Sequence, residues 1–227
     1  MADREVPRLV ENGAALDNTG LVHMVAVPES DGPHKCVVMI QGRKGNEEVM
    51  WVFAPTLPKE WLVIAPRAIE VEDDGYSWHP FMPYLPDIDV FDEAVGRLHQ
   101  FIESLPALYG VDPDGIFLMG FSQGAALAFA YAIRYPDQIQ GIAALMGFMP
   151  EGYQSILEKQ PLARMPVFMA AGKEDDTIPL HESQRSAQTA LDAGADLTYG
   201  EYETGHKLNR QATRELREWW EARLTDG

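Results

Sequence analysis

The sequence predicts an α/β fold, with a mostly parallel sheet covered by helices on both faces. Two observations carry that expectation. Short runs rich in Val, Ile and Phe alternate along the chain with longer segments of helical spacing. The runs are apolar nearly throughout rather than at every second residue, the pattern of strands buried on both sides. A length of 227 residues suits a single domain, residues 1–227, with a full core.

The strand-like runs are Leu21 to Val27, Cys36 to Ile40, Trp61 to Ala65, Ile116 to Met119, Ile139 to Met146, Val167 to Ala170 and Leu197 to Tyr202. Between them, Val90, Ala94, Leu98, Ile102 and Leu105 recur at helical steps. Leu127, Ala130, Tyr131 and Arg134 mark the next helix, and Ala187, Ala190 and Leu191 another. Leu208, Ala212, Leu216, Trp219 and Trp220 mark the last. Asp87 or Asp89 is expected to cap the helix that ends before Gly110, while Tyr135-Pro136-Asp137 and Gly194 stop two others. The stretch from Arg67 to Asp89, rich in proline and aromatics, is the least regular and reads as a long loop.

Composition narrows the function. Apolar residues make up 46 % and charged residues 23 %, as in globular proteins. The single cysteine, Cys36, excludes an internal disulfide and a multi-cysteine zinc site. Cys36 opens an apolar run and reads as a small buried hydrophobe. The net charge of −17 repels nucleic acid and anionic lipid. Neither a secretory signal nor a long apolar span appears, so the expectation is a cytoplasmic protein without membrane insertion.

Gly120-Phe121-Ser122-Gln123-Gly124 is the strongest motif. It matches G-x-S-x-G, with an apolar strand before it and the helix former Ala125-Ala126-Leu127-Ala128 after it. In that context the serine occupies a sharp strand-to-helix turn, and the flanking glycines let strand and helix approach without Cβ clashes. Ser122 is the expected nucleophile, and the Gln123 backbone N–H, at the helix start, an expected oxyanion donor. This specifies the α/β-hydrolase fold, here without a large cap domain. Triad order in that fold is serine, acid, histidine. Only His181 and His206 follow Ser122. His206 leaves the last strand and is the preferred base, whereas His181 begins a helix. The acid should leave the preceding strand, where Asp175 and Asp176 are adjacent and spacing does not choose between them.

With these motifs in place, the chain resembles the carboxylesterase/phospholipase family of small α/β-hydrolases, which includes acyl-protein thioesterases and bacterial carboxylesterases. The resemblance runs from about Lys35 to the C-terminus. Gly120 to Gly124 is the family's form of the elbow, and Gly205-His206 matches its Gly-His. Gly172-Lys173-Glu174-Asp175-Asp176-Thr177-Ile178-Pro179 matches its Gly-x-x-Asp-x-x-Val-Pro and implies Asp175 as the acid. Ser77-Trp78-His79 matches its tryptophan loop. The family's His-Gly is Gln41-Gly42 here, and the resemblance implies the Arg43 backbone N–H as second oxyanion donor. It further implies hydrolysis of carboxylic or thio esters, no cofactor or metal, and often a homodimer. Trp78, Phe148 and Met149 fall in loops at the carboxyl end of the sheet, where they line an acyl pocket or simply pack in the core.

The leading expectation is therefore an esterase for small or medium acyl groups, working through an acyl-enzyme on a small-molecule ester. A thioesterase or lysophospholipase with the same triad is the first alternative. A non-catalytic binding protein, suggested only by Gln41, is the second.

Overall fold

The computed structural model describes residues 4–82, 85–152 and 158–224. Ten strands occur among them: β1 (Arg8–Val10), β2 (His23–Ala26), β3 (His34–Ile40), β4 (Leu62–Pro66), β5 (Glu70–Glu72), β6 (Gly75–Ser77), β7 (Val111–Phe121), β8 (Gly141–Leu145), β9 (Pro166–Gly172) and β10 (Asp196–Tyr202). The described α-helices are α1 (Ala14–Thr19), α2 (Asp92–Tyr109), α3 (Gln123–Arg134), α4 (Leu180–Asp192) and α5 (Arg210–Ala222). Eight strands form one sheet in the order β1-β2-β4-β3-β7-β8-β9-β10. β1–β2 and β2–β4 pair antiparallel and the other neighbours run parallel. This is the α/β-hydrolase arrangement, and each apolar run read from the sequence contributes a strand to it.

The period-two geometry of a strand explains the apolar runs. Val38, Ile40 and Leu118 point to one face, where Leu98, Phe101 and Leu105 of α2 and Phe129 of α3 join them in one buried cluster. Val37, Met39, Phe117 and Met119 point to the other, against Leu216, Trp219 and Trp220 of α5. Trp61 stacks on Phe117 at 4.9 Å and meets Trp220 edge-on at 5.8 Å. Fully burying such a side chain contributes roughly 1.5–3 kcal/mol, so neither face could be left to water.

Helix ends follow ordinary capping chemistry. Gly110 closes α2 in the left-handed conformation at φ 66°, its N–H donating to Pro106 O. Asp87, not Asp89, caps the helical turn Ile88–Phe91 that leads into α2. Asn209 caps α5 by accepting from the Ala212 N–H.

Three features depart from the sequence expectation. The stretch from Arg67 to Asp89 contains the β5–β6 hairpin. A 3-10 helix, Val49–Thr56, follows β3. The edge strand β1 and helix α1 precede the first expected strand. All are short, and three-residue strands carry too few residues to display a period. No described helix is long and apolar enough to cross a membrane.

Candidate active site

Ser122 lies between the end of β7 and the start of α3 at φ 53° and ψ −118°. Such a conformation costs a non-glycine residue roughly 1–3 kcal/mol. The Ser122 N–H donates to Leu145 O at 2.9 Å, tying the turn to β8. The two motif glycines are required by close approach. A Cβ on Gly120 would lie 2.2 Å from Gly124 O, and one on Gly124 would lie 2.2 Å from Ile40 O. The N–H groups of Gln123 and Gly124 open the helix, where no helical acceptor reaches them.

Asp175 and His206 meet across a loop pair that follows β9 and β10. His206 Nδ1 and Asp175 Oδ2 are 2.7 Å apart. The other oxygen, Asp175 Oδ1, accepts from the Thr177 and Ile178 N–H groups, both at 2.9 Å. Its side chain is 1 % exposed. A buried carboxylate with three donors has its orientation fixed. Asp176 is exposed and lies only within 3.5 Å of the Thr177 hydroxyl. The choice that spacing left open thus falls on Asp175 geometrically. Phe121 backs the imidazole edge-on at 5.0 Å. His181 is exposed on α4, beside Glu182.

The loop after β3 is gripped by the β5–β6 hairpin. Gln41 is fully buried, and its Nε2 donates to Tyr76 O at 2.9 Å. Its backbone oxygen accepts from Trp78 Nε1 at 3.0 Å. Lys44 N–H donates to Ser77 Oγ, Gly45 N–H to Gly42 O, and Tyr76 N–H to Gly45 O. The Arg43 guanidinium forks onto Glu72 and stacks over Phe81 at 4.3 Å. That guanidinium and the Ser77 hydroxyl hold the Glu72 carboxyl below its ordinary pKa. Among the described residues the Arg43 N–H makes no hydrogen bond, while the next two amides are engaged. Gln123 ties the far side: its Oε1 accepts from the Trp78 N–H at 2.8 Å and its Nε2 donates to His79 O.

These groups open into a cavity of about 1080 Å³. Ser122, His206, Arg43, Gln123 and Phe148 line it, with an apolar wall that includes Phe53, Phe81 and Leu85. Trp78 and Met149 do not. Trp78 is 1 % exposed and packed in the core, with both of its N–H groups satisfied by Gln41 and Gln123. Met149 is wholly buried, its N–H bound to Ser186 Oγ. Both belong to the core behind the site. Glu72 and Tyr76 went unnoticed in the sequence, and Ser77 entered only as a neighbour of Trp78, because a loop-to-hairpin contact leaves no periodic signal.

Fold and site together define an α/β-hydrolase. The chain belongs to the phospholipase/carboxylesterase family, whose model matches residues 24–222. Carboxylesterase SOBER1 of Arabidopsis thaliana is 28 % identical over 135 residues, 58 % of this chain and 58 % of that protein. Acyl-protein thioesterase 1 of Emericella nidulans is 34 % identical over 97 residues, 41 % of each. The chain thus spans about half the length of these curated relatives. The crystal structure of the Bacillus cereus carboxylesterase shares the fold, with a TM-score of 0.76 at 22 % identity over 91 % of this chain and 96 % of that one.

Proposed function

We propose that this chain, acting as one domain, is a serine hydrolase that cleaves carboxylic esters through an acyl-enzyme. The observation that carries the reading is the shared cavity of Ser122 and His206, with His206 Nδ1 committed to a buried Asp175. That commitment leaves Nε2 to take the Ser122 proton as the hydroxyl attacks the ester carbonyl. The Arg43 and Gln123 N–H groups stabilise the oxyanion, each such donor being worth roughly 3 kcal/mol of barrier. His206 then protonates the departing alcohol. It next activates the water that hydrolyses the acyl-serine. Asp175 holds the imidazole in the required tautomer throughout.

The cavity of about 1080 Å³ is at the upper end for small-ligand sites. It supports medium acyl groups at least as well as small ones. Thioester cleavage with the same residues is the second reading, favoured by the relative named acyl-protein thioesterase. A fluorophosphonate probe should label the wild-type protein and leave Ser122→Ala unlabelled but folded. Equal labelling of the two would overturn the nucleophile. A series of nitrophenyl esters and acyl thioesters of rising chain length then separates the two readings.

A further inference from the structure

The charged groups of the cavity run against the balance of the chain. Acidic residues outnumber basic ones 35 to 18, yet the charged residues lining the cavity are Arg43, Lys44, Lys207 and a single acid, Glu182. Three of these four are already committed. Arg43 forks onto Glu72, Lys44 pairs with Asp73, and Glu182 pairs with Arg185 at 2.8 Å. Lys207 is different. It directly follows His206, is exposed, and its N–H donates to Gly205 O at 2.7 Å, which fixes the backbone that carries it. Among the described residues, no carboxylate lies within ion-pairing distance of its ammonium group. In a protein with this excess of carboxylates, an uncommitted cation on the cavity that holds the serine offers a counter-charge that the chain itself does not use.

We propose that Lys207 is a specificity-determining residue that receives a carboxylate carried by the ester substrate, in the cavity it shares with Ser122. The inference rests on the ester-hydrolase reading and deepens it to esters of dicarboxylic or carboxylated compounds. An ammonium group on a four-carbon stem is a mobile point charge, so it accepts a carboxylate without demanding one orientation. The net charge of −17 opposes the approach of an anion at long range. At about 0.15 M salt that field is screened beyond roughly 8 Å, whereas a contact pair is screened less.

The test compares matched esters on wild type, Lys207→Gln, Lys207→Arg and Lys207→Glu. Ethyl hydrogen adipate against ethyl hexanoate places the carboxylate on the acyl side. 4-Acetoxybenzoate against methyl 4-acetoxybenzoate places it on the leaving group. The quantity read is the ratio of kcat/KM for the anionic ester to that for its neutral partner. In one of the two pairs, Lys207→Gln should lower the ratio about tenfold, chiefly through KM, as for a charge-assisted contact. Lys207→Arg should keep the ratio, Lys207→Glu should lower it further, and added salt should narrow the gap. A merely structural role would change both members of a pair together. Ratios within about twofold of wild type in both pairs would overturn the inference. If fluorophosphonate still labels Ser122 in that case, the ester-hydrolase reading stands. Absence of labelling in wild type would overturn both.

Discussion

Under the proposed mechanism, the chemistry depends closely on Asp175. One oxygen faces His206 and the other is held by two backbone N–H groups, so the carboxylate cannot rotate away. Asp175→Asn should lower turnover by roughly 10³ to 10⁴, because the amide presents the wrong hydrogen-bond pattern to the imidazole. Asp176→Asn, on an exposed side chain, should cost far less. Steady-state kinetics on one ester checks both, and a larger loss at Asp176 would move the acid by one residue. Gln41 invites the same treatment. Its Nε2 spans to Tyr76 O with no solvent exposure, so under the proposed mechanism its reach to the site runs through the loop that carries the Arg43 N–H. Gln41→Met keeps the volume and removes the donor. It should lower kcat with little change in KM, since the oxyanion exists only after attack. A change confined to KM would instead give Gln41 a part in ground-state binding.

At the scale of elements, the β5–β6 hairpin performs the bracing that the sequence could not assign. Three backbone segments converge there: the loop after β3, the hairpin, and the Trp78–His79 strand of loop that Gln123 holds from α3. Glu72 joins Arg43 to Ser77 within it. Replacing Glu72 by Gln weakens the guanidinium fork and leaves the fold intact, because the side chain is only partly covered. The expected result is a fall in kcat of about three- to tenfold, the size of one charge-assisted bond lost at a partly exposed site. The pH sign follows from the lowered Glu72 pKa. The brace is complete at neutral pH and is lost only as pH falls through that depressed value, below the ordinary 4.5 of a glutamate. Rate profiles of wild type and Glu72→Gln should therefore differ most at neutral pH and converge in acid. Parallel profiles at all pH values would sink the brace.

At the scale of the whole molecule, two terms make stability depend on salt and on pH. The charge of −17 repels itself, and about 1 M NaCl shortens the Debye length to roughly 3 Å. Tm should rise between low salt and that concentration, as measured by a thermal melt. A flat or falling Tm would mean that the surface ion pairs outweigh the repulsion. The second term is His23, wholly buried between Leu21 O and the Tyr109 hydroxyl. Burial lowers its pKa below 6.5, so the unfolded chain binds the proton first. Its contribution is full above about pH 6.5 and is lost as pH falls towards the depressed value. His23→Gln should flatten the dependence of Tm on pH between about 7 and 5.5. An unchanged slope would assign that acid sensitivity to other groups, His79 first, whose pKa burial also lowers.

By itself, the sequence determined the sheet and its covering helices. Runs such as Cys36 to Ile40 and Val167 to Ala170 carry the apolar signature of strands buried on both faces, a local property that needs no partner to be read. The Gly120–Gly124 elbow was legible because its motif and the strand and helix that flank it are contiguous in sequence, and Gly120 answers to a clash only four residues away. Spacing did not choose between the adjacent aspartates and the family motif only implied Asp175; the tertiary structure is what brings Asp175 against His206, 31 positions along the chain. It alone placed Gln41 against Tyr76, 35 positions away, and turned Trp78 into the core rather than the cavity. Those outcomes depend on hydrogen bonds between distant irregular segments. Such bonds are chosen by where the sheet brings the loops together, and they impose no period on the residues that make them.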